Sequence, residues 1–304
     1  MTRSPFHEGE RRVQTLADED RMAARNGRFI GTTLPPNTDR MLGVSTLLNI
    51  ALSDAEGRVW SLVAAGWPGL IRRLNDVTAG IDRSLMAAPD RLWSLLAPEA
   101  AIGLVAMDLT SARRYRVNGT VGEVTDGGFS VAVSETCPNC PKYIQLRQPV
   151  RGHAYGEVTE GSGTAPDEEA TTLIRRADTF FVASRGADGR HDASHRGGPP
   201  GFVRLRGNVL TVPDYIGNSM FMTLGNFAQD PAGGLTFVDF DAGAQLNLTG
   251  KVALAFGDPA AHDGTGGRHW TFEIEGWHRS VFRPDPAWAL HAYSRFNPAS
   301  GTGA

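Results

Sequence analysis

Apolar positions in this chain fall in short runs that alternate with polar ones and stop at glycine, a pattern of strands rather than long helices. Thr179-Phe180-Phe181-Val182-Ala183 is an aromatic and β-branched run, closed by the turn residues Gly186-Ala187-Asp188-Gly189. His191-Asp192-Ala193-Ser194 then completes a hairpin. Phe202-Val203-Arg204-Leu205-Arg206 alternates apolar and basic residues up to Gly207-Asn208, and Val209-Leu210-Thr211-Val212-Pro213 resumes as the second arm of another hairpin. Further strands are predicted over 235–240, 245–249 and 270–277, and helices over 10–25, 88–96 and 219–227. Asn218 or Ser219 suits the N-cap of the last helix, where free N–H groups can also hold a phosphate. Antiparallel strands around one helix give a mainly β fold, a small β-barrel with a few helices.

The pattern occurs twice. Displaced by 132 residues, Ala55-Glu56-Gly57-Arg58 falls on Ala187-Asp188-Gly189-Arg190, and Gly66-Trp67-Pro68-Gly69-Leu70-Ile71-Arg72 on Gly198-Pro199-Pro200-Gly201-Phe202-Val203-Arg204. Displaced by 131, Gly103-Leu104-Val105-Ala106-Met107-Asp108 falls on Gly234-Leu235-Thr236-Phe237-Val238-Asp239, and Val117-Asn118-Gly119-Thr120-Val121 on Leu248-Thr249-Gly250-Lys251-Val252. One inserted residue reconciles the offsets, and the period is that of a domain, not of a solenoid unit. The reading is a tandem duplication: a helical arm over 1–34, a first copy over 35–156 and a second over 165–298. Segment 157–167, rich in Gly, Thr and Glu, has linker composition.

Differences between the copies point to a site. Where the first reads Val59-Trp60-Ser61-Leu62-Val63-Ala64-Ala65, the second reads His191-Asp192-Ala193-Ser194-His195-Arg196-Gly197. Such polar groups are costly to bury without a ligand or partners, so the second copy is the expected site. A Ser-His-Asp triad does not fit, because alternation along a strand puts Asp192 and Ser194 on one face and His195 on the other. Gly197-Gly198-Pro199-Pro200-Gly201 argues against the helix that a His191/His195 metal pair would need. Arg196 offers a planar fork to an anion, and Gly197, standing where the first copy has Ala65, lets a ligand approach the backbone. His195 is the candidate for proton delivery.

Composition narrows the classes. With 30 basic and 33 acidic residues there is no field to gather nucleic acid. The chain has no long apolar stretch and opens on MTRSPFHEGERR, so neither a membrane segment nor a secretory signal is expected and the reading is cytoplasmic. The only cysteines, Cys137 and Cys140, have CxxC spacing but no second pair to complete a zinc site, and no metal is expected. The 36 glycines mark a body rich in turns.

In order, Thr179-Phe180-Phe181-Val182-Ala183-Ser184, Asp192-Ala193-Ser194-His195-Arg196-Gly197-Gly198, Pro200-Gly201-Phe202-Val203, Pro213-Asp214-Tyr215, Gly217-Asn218-Ser219-Met220-Phe221, Asn226, Asp230-Pro231 and Gly234-Leu235 resemble the FMN-binding split-barrel superfamily typified by pyridoxamine 5′-phosphate oxidase. Phe6-His7-Glu8-Gly9-Glu10 and Cys140-Pro141-Lys142-Tyr143 also look like its oxidase-related bacterial branch. The resemblance implies FMN held noncovalently between two barrels, and an FMN-dependent oxidoreductase of unidentified substrate. By position it implies cofactor contacts from Ser194, Arg196, Gly197, Asp214, Asn218, Ser219 and Gln245. The oxidase has Ser-Arg-Lys in the phosphate turn where this chain has Asn218-Ser219-Met220, so the phosphate charge falls to Arg196, Arg185 or Lys142 and the oxidase's own activity is not expected. A tandem chain could form the barrel pair internally, with the first copy degenerate and one flavin per chain. Expected partners are a small-molecule substrate, NAD(P)H or a separate reductase as electron source, and a second copy in a homodimer. The alternative is a noncatalytic flavin or haem carrier or sensor, with His7, His191, His195 or His278 as axial ligand.

Overall fold

The computed structural model describes residues 4–298. The chain opens with an arm of α1 (Glu8–Leu16) and α2 (Asp20–Asn26), followed by α3 (Thr38–Gly43). The strands β1 (Leu47–Ser53), β2 (Val59–Gly66), β3 (Ile71–Asn75), β4 (Thr78–Asp82) and β5 (Met86–Ala87) precede α4 (Asp90–Leu95), and β6 (Ala101–Asp108), β7 (Arg113–Thr125) and β8 (Gly128–Asn139) follow it. They form one antiparallel sheet, ordered β3-β4-β8-β7-β6-β1-β2-β5. β9 (Leu146–Val150), β10 (Gly161–Gly163) and α5 (Glu168–Arg176) lead to β11 (Thr179–Arg185), β12 (His191–Gly197), β13 (Arg204–Arg206) and β14 (Val209–Pro213). Then come α6 (Met222–Phe227), β15 (Ala232–Asp239), β16 (Ala244–Phe256), β17 (Arg268–Val281) and β18 (Ala287–Ala292). The second sheet runs β12-β11-β15-β16-β17-β14-β13, while β18 returns to pair with β9.

Written from its other edge, the second sheet is β13-β14-β17-β16-β15-β11-β12, which matches β3-β4-β8-β7-β6-β1-β2 strand for strand. Helix α6 lies 132 residues after α4, between the same two strands. The protein is thus mainly β, with two large antiparallel sheets of like order. Neither sheet closes by pairing its two end strands, so the ladder of a complete barrel is not formed.

Each half wraps its own core, built around Leu48, Ile50, Leu104 and Val131 in the first and Phe180, Phe237, Trp270 and Phe272 in the second. A third cluster joins them, with Leu47, Ala51, Val63, Val105 and Met107 meeting Phe181, Ala183, Ala193 and Val238. β1 therefore buries both faces, alternate residues going to its own core and to the other half, which is why it reads as a continuous apolar run. Two glycines at equivalent positions set the approach. A Cβ on Gly103 of β6 would stand 2.7 Å from the His191 carbonyl oxygen on β12, and one on Gly234 of β15 would stand 2.6 Å from the Ser61 nitrogen on β2.

Three local readings change. The helix expected over 10–25 breaks at Asp18, whose φ of 54° is left-handed. α6 begins only at Met222, because Ser219 and Phe221 have φ of 63° and 56°. Phe221, not Asn218 or Ser219, is its N-cap and makes no side-chain cap. The segment read as a linker also carries structure: β10 pairs with β17, and the Asp167 carboxylate caps α5 by accepting from the Ala170 nitrogen at 2.7 Å.

Candidate functional site

β12 carries the polar residues that distinguish the second copy, and it is buried along almost its whole length. The chain itself supplies many partners. His191 Nε2 meets Ser53 Oγ at 2.8 Å, and Asp192 accepts from Asn118 Nδ2 at 2.6 Å and Asn226 Nδ2 at 2.8 Å. Ser194 Oγ accepts from Thr223 Oγ1 at 3.0 Å, and Arg196 donates to Asp214 at 3.0 Å.

Between β12, β7, α6 and segment 214–221 lies a cavity of about 80 Å³, lined by Arg114, Arg116, Ser194, His195 and Arg196 among others. Three guanidiniums thus converge on it. Arg116 lies 3.4 Å from Asp192 and Arg196 pairs with Asp214, but Arg114 has no carboxylate partner among the described residues. It donates instead to the carbonyls of Cys140 at 2.9 Å and His195 at 3.0 Å. Burial, with Arg196 and Arg116 adding to it, pushes its pKa down to about 10, which still leaves it charged at neutral pH.

Arg114 Nη1 also stands 3.3 Å from His195 Nδ1. A guanidinium only donates, so Nδ1 accepts and the neutral ring carries its proton on Nε2, which is buried without a partner. Burial first, then Arg114, hold the His195 pKa well below its ordinary value. Proton delivery by a protonated imidazole at neutral pH, the role expected from sequence, does not fit this environment. The ring is placed as a hydrogen-bond donor.

Other predicted residues divide. Asp214, Asn218 and Ser219 line the cavity, but the Asp214 carboxylate is held by Arg196 and by Arg268 Nε at 3.3 Å, so it orients Arg196. Asn218 Oδ1 accepts from the Met220 nitrogen at 3.2 Å. Gly197 is explained by the chain rather than by a ligand, since a Cβ there would stand 2.0 Å from the Tyr143 carbonyl oxygen. Arg185 pairs with Asp230 at 2.7 Å and donates to Gly57 O at 3.0 Å, outside the cavity lining. Lys142 is partly exposed, its Nζ 3.4 Å from the Ile216 carbonyl. Gln245 lies at the opposite, equivalent contact, accepting from the Val63 nitrogen and donating to the Val63 carbonyl at 3.1 Å.

That placement exposes residues the sequence reading missed. At an offset of 131, Arg114 corresponds to Gln245 and Arg116 to Asn247. Arg116 donates to Ala193 O at 3.1 Å, as Asn247 donates to Ser61 O at 2.9 Å; Arg114 donates to His195 O as Gln245 does to Val63 O. The scaffold contacts are shared, but only one side carries guanidiniums. On the other side Leu62 and Ala64, equivalent to Ser194 and Arg196, join the first core.

Burial pushes the Cys137 thiol up to about 11, and Cys140 is partly exposed. Among the described residues no three His, Cys, Asp or Glu side chains converge as a metal would require, and no helix is long and apolar enough to cross a membrane.

The donors around the cavity fit a phosphate, but its volume does not take the three fused rings of a flavin. The cavities against His7, His191 and His195, about 80 and 30 Å³, are also too small for a porphyrin. His7 is occupied as the N-cap of α1, its Nε2 donating to Asn226 Oδ1 at 3.0 Å. His278 is half-buried on β17.

No family model matches the chain, nor does any curated relative. Among solved structures it is similar to HupZ of Group A Streptococcus, at 15% identity and a TM-score of 0.30 over 36% of this chain and 90% of that one. A candidate pyridoxamine 5′-phosphate oxidase from Lactobacillus delbrueckii gives 14% and 0.32 over 38% and 94%. HutZ, the heme storage protein from Vibrio cholerae, gives 12% and 0.26 over 41% and 92%.

Proposed function

We propose that the chain is an FMN-dependent oxidoreductase acting on a small molecule, with the cofactor's phosphate held in the cavity between the two halves. The observation that carries this is Arg114, a guanidinium without a carboxylate, facing a phosphate-sized space beside Arg116, Arg196 and the free Nε2–H of His195. The same donors favour FMN, which carries a phosphate, over haem, which needs an open histidine ligand. When bound, the flavin supplies hydride or electron transfer. The chain's residues bind the anion, orient it through Arg196 braced on Asp214, and exclude water. One cofactor per chain is the expectation, because the equivalent site carries Gln245, Asn247, Leu62 and Ala64 instead.

The test is the visible spectrum of the purified protein with added FMN. Uptake of one flavin per chain, bleached by NADPH, NADH or a reductase, supports the reading. Arg114→Met should weaken FMN binding roughly tenfold to a hundredfold, the range for losing a hydrogen bond to a charged group. A wild-type protein that takes up no FMN, or an Arg114→Met variant that binds as tightly, overturns it.

A further inference from the structure

Segment 214–221 walls the cavity without regular secondary structure, and the N-terminal arm holds it. Gln14 Nε2 donates to Met220 O at 3.0 Å, and Asn26 Nδ2 donates to Asn218 O at 2.7 Å. Glu19 grips Arg268 at 3.1 Å, Arg268 grips Asp214, and Asp214 braces Arg196. The position of this wall therefore sets the size of the cavity.

The arm is seated by a close crossing of α1 on α6. A Cβ on Gly9 would stand 2.2 Å from the Gly225 carbonyl oxygen, and one on Gly225 would stand 2.4 Å from Glu10 Cγ. That crossing presses Glu10 into the interior, 4% exposed, where its carboxylate accepts from the His7 nitrogen at 2.8 Å. Facing it are Asp192 from β12, Glu135 from β8, Arg116 from β7 and His7 from its own helix. His191 and the turn residues Asp188 and Arg190 line the same space of about 30 Å³. Two guanidiniums face these carboxyls, Arg116 beside Asp192 at 3.4 Å and Arg190, which also acts on Glu135 but is already paired with Asp188 at 2.6 Å. Asn118 Oδ1, lining that space, is buried without a partner. The carboxyls do not converge in a metal-like cluster among the described residues, so protons are the means of neutralising them.

We propose that the arm, residues 4–30, is a proton-dependent latch on the cavity wall, held down while Glu10 and Glu135, packed against Asp192, retain their protons. Its use in admitting a cofactor or substrate rests on the function proposed above; the latch itself does not. Burial, then Asp192, push the Glu10 pKa up to about 8, and the same two causes push Glu135 up to about 7. A carboxyl whose pKa is raised on docking contributes fully below its ordinary value of 4.5, and its contribution is lost as pH rises toward 8. The arm therefore loosens as the solution turns alkaline.

Hydrogen exchange of the full-length protein without ligand, between about pH 6 and 9 and corrected for intrinsic exchange, tests this. In the wild type the opening equilibrium of α1 amides should rise with pH, by up to about tenfold per unit below the Glu10 pKa. Glu10→Gln keeps the acceptor for the His7 nitrogen and should flatten that slope. Equal slopes in wild type and Glu10→Gln overturn the latch. If the arm of Glu10→Gln is unprotected at every pH, Glu135→Gln decides: a flattened slope supports the latch, and a wild-type slope overturns it. Since no ligand is present, failure of FMN binding leaves the outcome intact.

Discussion

Gly103→Ala and Gly234→Ala test how the two halves meet. Neither glycine has a left-handed backbone, so only space is at issue. At Gly103 the new methyl would lie 2.7 Å from His191 O and 2.9 Å from Ala193 N, and at Gly234 it would lie 2.6 Å from Ser61 N and 2.7 Å from Trp60 C. Against an ordinary contact of 3.4 Å, these are short by about 0.7 and 0.8 Å. The obstructing atoms are backbone of β12 and β2, each paired along its length to β11 or β1, so they cannot turn aside as a side chain could. Relief must come from separating the halves, which loosens the packing of Phe181, Val105 and Met107. Each substitution should cost about 1–3 kcal/mol, the usual range for overpacking a core. Because both wedge the same interface, the double variant should cost less than the sum. Urea unfolding of both single variants and the double variant measures this, with Gly43→Ala as control. A Cβ at Gly43 meets nothing within 4 Å, and the change should be neutral or stabilising by up to about 1 kcal/mol. Single substitutions costing under about 0.5 kcal/mol would refute the close approach.

Acid should weaken the fold through β12. Burial first, then Arg185, push the His191 pKa down to about 4 from an ordinary 6.5, so its contribution is complete above 6.5 and is lost as pH falls toward 4. Urea midpoints measured from pH 7 to 4.5 should fall, and His191→Gln should make the fall shallower; an unchanged profile would exclude His191 as a source. Thiol labelling should distinguish the cysteines. Native protein should react at Cys140, which is partly exposed, while buried Cys137 reacts only on unfolding. Two equivalents reacting at one rate would contradict that burial.

What could be read from the chain and what could not follow from the same physics. The two halves were legible because turns and close-approach glycines recur at an offset of 132 or 131, as at Gly57 and Gly189 or Gly103 and Gly234, and backbone geometry tolerates little else there. The polar run of β12 was legible as a difference between copies. Its partners were not, because strand pairing and packing bring Arg114, Arg116 and Asn118 to it from about 75 residues away. A signal existed. Comparing Arg114-x-Arg116-x-Asn118 with Gln245-x-Asn247-x-Thr249 at the same offset reveals alternate positions turned from neutral to cationic on one copy alone. Gly197 misled because a missing side chain reports a close approach without saying to what, and here the neighbour is Tyr143 O. His195 misled because its ordinary pKa assumes water. Beside a buried guanidinium the same ring is a fixed neutral donor, while burial pushes the carboxyls Glu10 and Glu135 up to about 8 and about 7. The halves thus divide the cavity lining: the second supplies the polar strand with Ser194, His195 and Arg196, and the first supplies Arg114 and Arg116.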